Sequence, residues 1–344
     1  MTRTTPERPA DVEALFPELS GHRRTGTRLH PRKGFAEPHQ SSVAGPFLWP
    51  ADEPWPVCRA VHEKGRGHLL TDVRLRRRIR DEAWRRDPRR GPSGKEAEVL
   101  DGLRESGLHV PELRTADPIP LLAAVQLFTR DVPDLIGPSG HDLLQVLWCP
   151  FEAHGPDRTM DVMLTWRRSE EVTEILTAIP EPTVVGRAEC VPEPCVLDPE
   201  QVVEHESIEL LSEESRQRIE AWEEELLDAA EERGTEREAG EEYELSYQGD
   251  LSIPPGWKVG GFATWGLTGP ARIDCSCGSP MRPLLTVSDR EWDGGSLSWV
   301  PLEDRETMRT AGASDPTGVY VGRGLMRVFT CPVDPSHPHR LNFQ

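Results

Sequence analysis

The chain has 344 residues, 36% of them hydrophobic and 29% charged, with a net charge of −19. That size can bury a core of one large domain or two ordinary ones, and the acidic excess works against nucleic-acid binding, which needs Lys and Arg to neutralise phosphates. The sequence shows no run of 18 apolar residues and no apolar stretch behind Met1, so it predicts no membrane span and no secretory signal, and a cytoplasmic setting in which its seven cysteines stay reduced.

With 33 prolines and 29 glycines, the elements should be short and turn-rich. Residues 1–40 read as a loosely ordered arm with one helical turn, opened by Asp11 as N-cap and stopped at Pro17. The basic run from Gly21 to Lys33 reads as a solvated arm, or as a surface that pairs with acid elsewhere. Ser41 to Cys58 contains too many prolines for a helix or a central strand. Its aromatic residues still need burial, which predicts an ordered loop laid on the core and pinned by Trp49 and Trp55.

A basic helix is expected from about Thr71 to Arg86, capped by Thr71 or Asp72 and ended by Pro88. A second helix is expected from Glu96 to Ser106, stopped by Gly107. Pro118 to Phe128 and Gly140 to Phe151 are apolar runs that read as buried strands, joined closely enough to pair antiparallel. Asp161 to Arg167 alternates and reads as a third strand. Val202 to Glu244 carries most of the negative charge. A helix opening at Ser212 and running to about Glu232 presents Ile219, Trp222 and Leu226 as a narrow apolar stripe. Its charge suggests a place beside the basic 74–90 helix. Ser252 to Pro270 returns to core.

The chemistry is concentrated near the C-terminus. Cys275 and Cys277 flank one residue and precede Gly278, which tolerates the left-handed backbone of a tight turn. Met281 to Val287 reads as a strand leaving that turn, and Leu325 to Thr330 as a strand returning to deliver Cys331. His337 and His339 follow. Three thiols and an imidazole are the donor set of a tetrahedral structural Zn²⁺. The expected ligands are Cys275, Cys277, Cys331 and His337, with His339 as the alternative fourth. Four protein ligands leave no open position for a reactive water, so the zinc is expected to be structural.

Five segments, in order, resemble the YwqG-like family, a bacterial family of mostly unknown function. They are Ser42 to Pro56, Leu121 to Leu127 with Val132 to Leu135, Gly140 to Leu147, Lys258 to Trp265, and Cys275 to Met281. The resemblance implies an α+β fold, with a mixed or antiparallel sheet core and peripheral helices, and a partner-binding or immunity role. It brings no established catalytic residues. On this reading residues 41–344 form a single domain with helical insertions at about 60–115 and 200–245 and a zinc-ribbon-like corner at 272–344.

The sequence contains no G-x-S-x-G, no H-E-x-x-H and no phosphate loop. The expected function is therefore a non-catalytic, zinc-stabilised protein that docks a protein partner, as an immunity or antitoxin-like factor does. Two alternatives come from specific residues. A hydrolase could use His30, His39, His141 or His154 with nearby acids, in a pocket near Trp49 and the 258–265 loop. A nucleic-acid binder would use the 74–90 arginines.

Overall fold

The structure is a computed structural model that describes residues 2–105, 114–155, 157–232, 245–266 and 268–344. Its frame is a pair of six-stranded sheets. The first runs, edge to edge, Glu200–His205, Arg23–Arg28, Lys258–Gly260, Arg282–Ser288, Leu325–Thr330 and Arg340–Phe343. The second runs Arg32–Lys33, Cys195–Val196, Ser42–Val43, Leu122–Phe128, Leu143–Trp148 and Val162–Arg167. Every neighbouring pair is antiparallel in both sheets. Two short ladders join Val57–Cys58 to Ile119–Pro120 and His68–Leu69 to Val184–Val185. The fold is α+β, as the pattern of short strands and separate helical stretches predicts.

The sheets share one core. Val125, Leu127 and Val146 from the second sheet pack in the same cluster as Val259, Leu285 and Val328 from the first. Leu143–Trp148 is buried at all six positions because both of its faces are covered. Leu144, Val146 and Trp148 face the shared core. On the other side Leu147 packs with Phe47, Trp49 and Trp55 of the proline-rich loop. A strand covered on both faces should read as a continuous apolar run, and this one does. The one polar residue within it, Gln145, donates to the Leu48 carbonyl and to Gln126 Oε1. The loop itself is pinned as expected. The Trp49 and Trp55 rings lie 4.9 Å apart, and Trp55 Nε1 donates to the Leu121 carbonyl at 2.8 Å.

Four expectations need correction. Residues 1–40 are not a loose arm, because Arg23–Arg28 is an interior strand between Glu200–His205 and Lys258–Gly260. The first residues are strapped down as well: Thr5 N donates to Glu200, and Leu302 N to the Thr4 carbonyl. The expected 200–245 helical insertion begins instead with an edge strand. The basic helix spans Leu70–Arg86 and has Leu69 at its N-cap, without a side-chain cap hydrogen bond from Thr71 or Asp72.

The fourth correction concerns helix placement. The acidic helix Glu213–Glu232 does not sit against the basic one. Its Ile219 and Trp222 pack with Val12, Phe16, Leu19, Tyr247 and Leu251. The basic helix instead pairs Arg74 with Glu181, Arg77 with Glu193 and Arg86 with Glu96. Apolar burial placed the acidic helix, and surface charge attraction is too weak to compete with it. The second helix spans Gly94–Glu105, and at its start the Glu96 carboxylate reaches back to accept from the Ser93 amide and hydroxyl, both at 2.7 Å. The expected stop at Gly107 lies outside the described residues.

Candidate metal centre

The corner is built by the pairing of two strands. Arg282–Ser288 and Leu325–Thr330 run side by side, with Arg282 opposite Thr330, so the residues just before one strand and just after the other meet. On the first side, the Cys275 amide donates to the Ser279 carbonyl and the Gly278 amide to the Cys275 carbonyl, both at 2.9 Å. This tight turn needs φ +85° at Gly278, which an L side chain would resist. It points Cys275 and Cys277 at Cys331. On the second side, the Asp334 carbonyl accepts from the His337 amide at 3.1 Å, folding the Cys331–His337 loop back over the thiols.

Cys275, Cys277, Cys331 and His337 each bring one ligand atom, and the four atoms lie within 4.8 Å of one another. Cys277 Sγ is 3.6 Å from Cys331 Sγ, and Cys275 Sγ is 3.3 Å from His337 Nδ1. With metal–sulfur bonds of about 2.3 Å and metal–nitrogen bonds of about 2.0 Å, a zinc tetrahedron has edges of about 3.8 Å (S–S) and 3.6 Å (S–N). The observed edges are close to both values, so the four residues fit a metal ion. His339 is not part of the group, and its ring meets the Val162 backbone instead.

The surroundings divide the centre into a dry side and a wet side. Cys275 and Cys331 are buried against Ala263, Met281 and Phe329, with Trp265 and Ile273 beside them. Cys277 is exposed. Hydrogen bonding from Ser279, first through its backbone and then its side chain, holds the Cys277 thiol down at about 6. Desolvation pushes the Cys331 thiol up. The second nitrogen of His337, Nε2, is 3.7 Å from Asp334 Oδ2, in the manner of an outer carboxylate that orients a ligand imidazole.

The histidines considered for acid–base chemistry are scattered. His30 is fully buried, with Glu200 at 3.3 Å and Glu291 at 3.6 Å. His39 is exposed, and His141 turns its Nδ1 to the Ser139 carbonyl. Trp49 is fully buried core under the Arg167 guanidinium, 4.2 Å from its ring centroid. His154 has a different setting, a second cluster with Cys58, His62 and Cys149. That cluster was not among the expected ligands. Its only local signal is a Cys followed closely by a His, occurring twice. No family model matches the chain and no curated protein matches it.

Proposed function

We propose that the protein is a zinc-stabilised, non-catalytic binding protein of the cytoplasm that docks a protein partner, as an immunity or antitoxin-like factor does. The observation that carries this reading is the convergence of three thiols and one imidazole on a single point. Thiolate with imidazole selects zinc among the available divalent ions, and a full protein ligand set makes the metal a cross-link. It ties the turn at 275–278 to the loop at 331–337, so the binding free energy of the ion adds to folding.

The partner reading is supported by the acidic helix Glu213–Glu232. Its Ile219 and Trp222 are packed away, and Glu220, Glu224, Glu225 and Asp228 are exposed. Such a face would steer a basic protein partner into contact. The paired arginines of the 70–86 helix and the net charge of −19 favour that partner over nucleic acid. The resemblance to the YwqG-like family points the same way, and the absence of disulfides among the seven cysteines suits a reducing compartment.

Elemental analysis of untagged protein tests the metal. Zinc at the corner should disappear in Cys277→Ser together with thermal stability. Wild-type zinc content that Cys277→Ser leaves unchanged would overturn the reading. For the partner, capture of a basic protein should weaken as salt rises and be lost when Glu220, Glu224 and Glu225 are reversed to Lys. Capture insensitive to both would count against the acidic face.

A further inference from the structure

We propose that the protein has a second zinc site, formed by Cys58, His62, Cys149 and His154 beside the end of the strand Leu143–Trp148. These residues come from two arms that are distant in sequence. Cys58 ends the short strand Val57–Cys58, and His62 follows it in the next loop. Cys149 comes directly after the strand Leu143–Trp148, and His154 lies on the hairpin beyond it. Each arm therefore supplies one thiol and one imidazole.

The geometry is that of a small cation cage. Cys58 Sγ is 3.3 Å from His62 Nε2 and 3.9 Å from His154 Nε2, and Cys149 Sγ is 3.4 Å from His62 Nε2. All four donor atoms lie within 4.8 Å of one another. A tetrahedral zinc with two thiolates and two imidazoles has S–N edges of about 3.6 Å, and the three observed edges bracket that value. The donor set contains no carboxylate, which disfavours magnesium and calcium.

The imidazoles are held in place by the fold. The His62 ring stacks on Phe151 with centroids 4.7 Å apart and planes within 9°. The His154 backbone exchanges two hydrogen bonds of 2.9 Å with Thr159, in a turn completed by Gly155 at φ +66°. Both imidazoles aim Nε2 at sulfur. Cys58, His62 and Cys149 are buried, in surroundings that include Phe151, Trp55, Ile119 and Leu147. In that apolar setting His62 Nε2 faces the thiol sulfurs of Cys58 and Cys149, which are weak hydrogen-bond partners. A bound ion would satisfy the nitrogen and both sulfurs together, as a buried polar cluster requires.

An ion here would fasten the segment that leads into the basic helix to the end of a central strand. It would hold the 58–62 loop and the 149–154 hairpin as one unit. With four protein ligands the site is closed, and its role is structural.

X-ray absorption at the zinc edge, combined with metal content, tests this on the unaltered protein. The expected result is two zinc ions per chain sharing five sulfur and three nitrogen ligands. One zinc with three sulfurs and one nitrogen would overturn this site and leave the C-terminal one standing. One zinc with two sulfurs and two nitrogens would support this site and remove the C-terminal one. Zinc-free, folded protein would remove both. Cys149→Ser and the milder His154→Gln should each halve the zinc content while leaving the Cys277-dependent ion in place. A disulfide between Cys58 and Cys149 in protein purified under reducing conditions would also overturn the proposal.

Discussion

Replacing Lys258 by Met would leave a carboxylate stranded inside the first sheet. Lys258 Nζ donates to Glu204 Oε2 at 2.6 Å, and both side chains are fully buried. Glu204 Oε2 also accepts from the Phe262 amide at 2.7 Å, while Oε1 has no partner. Gly26 and Gly261 press on this carboxylate so closely that a Cβ at either would overlap it. Removing one member of a buried ion pair costs about 3–5 kcal/mol, and the enclosed setting places Lys258→Met at the upper end. Glu204→Gln in the same background neutralises the stranded group and keeps an acceptor for Phe262, so it should recover much of the loss.

The pH dependence supplies a sign. Burial pushes the Glu204 carboxyl up, against the opposing pull of Lys258 and the Phe262 amide. Without Lys258 that opposition weakens and the folded-state value rises further. A group whose folded value lies above its unfolded one contributes stability at low pH and loses it as pH rises through the folded value. The penalty of Lys258→Met should therefore be larger at alkaline pH and shrink at acidic pH, where Glu204 takes up a proton. Urea midpoints at an alkaline and an acidic pH, for wild type, Lys258→Met and the double variant, measure it. A penalty under about 1 kcal/mol, or one independent of pH, would refute the reasoning.

Gly261 has φ +64°, and an alanine Cβ there would overlap Glu204, so Gly261→Ala should cost about 3 kcal/mol. Gly21→Ala, with nothing within 4 Å of the added Cβ, should stay within about 0.5 kcal/mol in the same denaturation assay. Trp49→Ala should cost about 3–5 kcal/mol through the cavity it opens beneath the second sheet. A hydrolase pocket at Trp49 would instead show as lost turnover with stability preserved, so melting curves of this variant distinguish core from site.

The elements legible in the sequence were those whose burial is local. Leu143–Trp148 and Leu122–Phe128 announce themselves as apolar runs, because sheet and loop cover both faces. The loop at 41–58 follows from prolines that forbid regular structure and tryptophans that must be covered. The C-terminal corner was legible because its two halves each carry a compact signal, a Cys-x-Cys-Gly turn and a Cys-Pro loop ending in histidine. His337 could be separated from His339 only by the loop closing through the Asp334 carbonyl and by the last strand, Arg340–Phe343, which carries His339 towards Val162.

Arg23–Arg28 shows why other parts were hidden. The strand Arg-Arg-Thr-Gly-Thr-Arg has no apolar residue, yet its second half is buried. Arg28 is admitted to the interior because its guanidinium donates to Thr5 Oγ and to the Trp299 carbonyl, from segments near opposite ends of the chain. Nothing within the strand predicts those partners. The same holds for the second cysteine–histidine cluster. Cys58 with His62, and Cys149 with His154, each look like an unremarkable pair in a loop. They become a possible ligand set only when the pairing of Val57–Cys58 with Ile119–Pro120, and of Leu122–Phe128 with Leu143–Trp148, carries one loop to the other. Short-range spacing can report a site whose halves are each self-evident. A site divided into two weak halves depends on topology, so its detection had to wait for the fold.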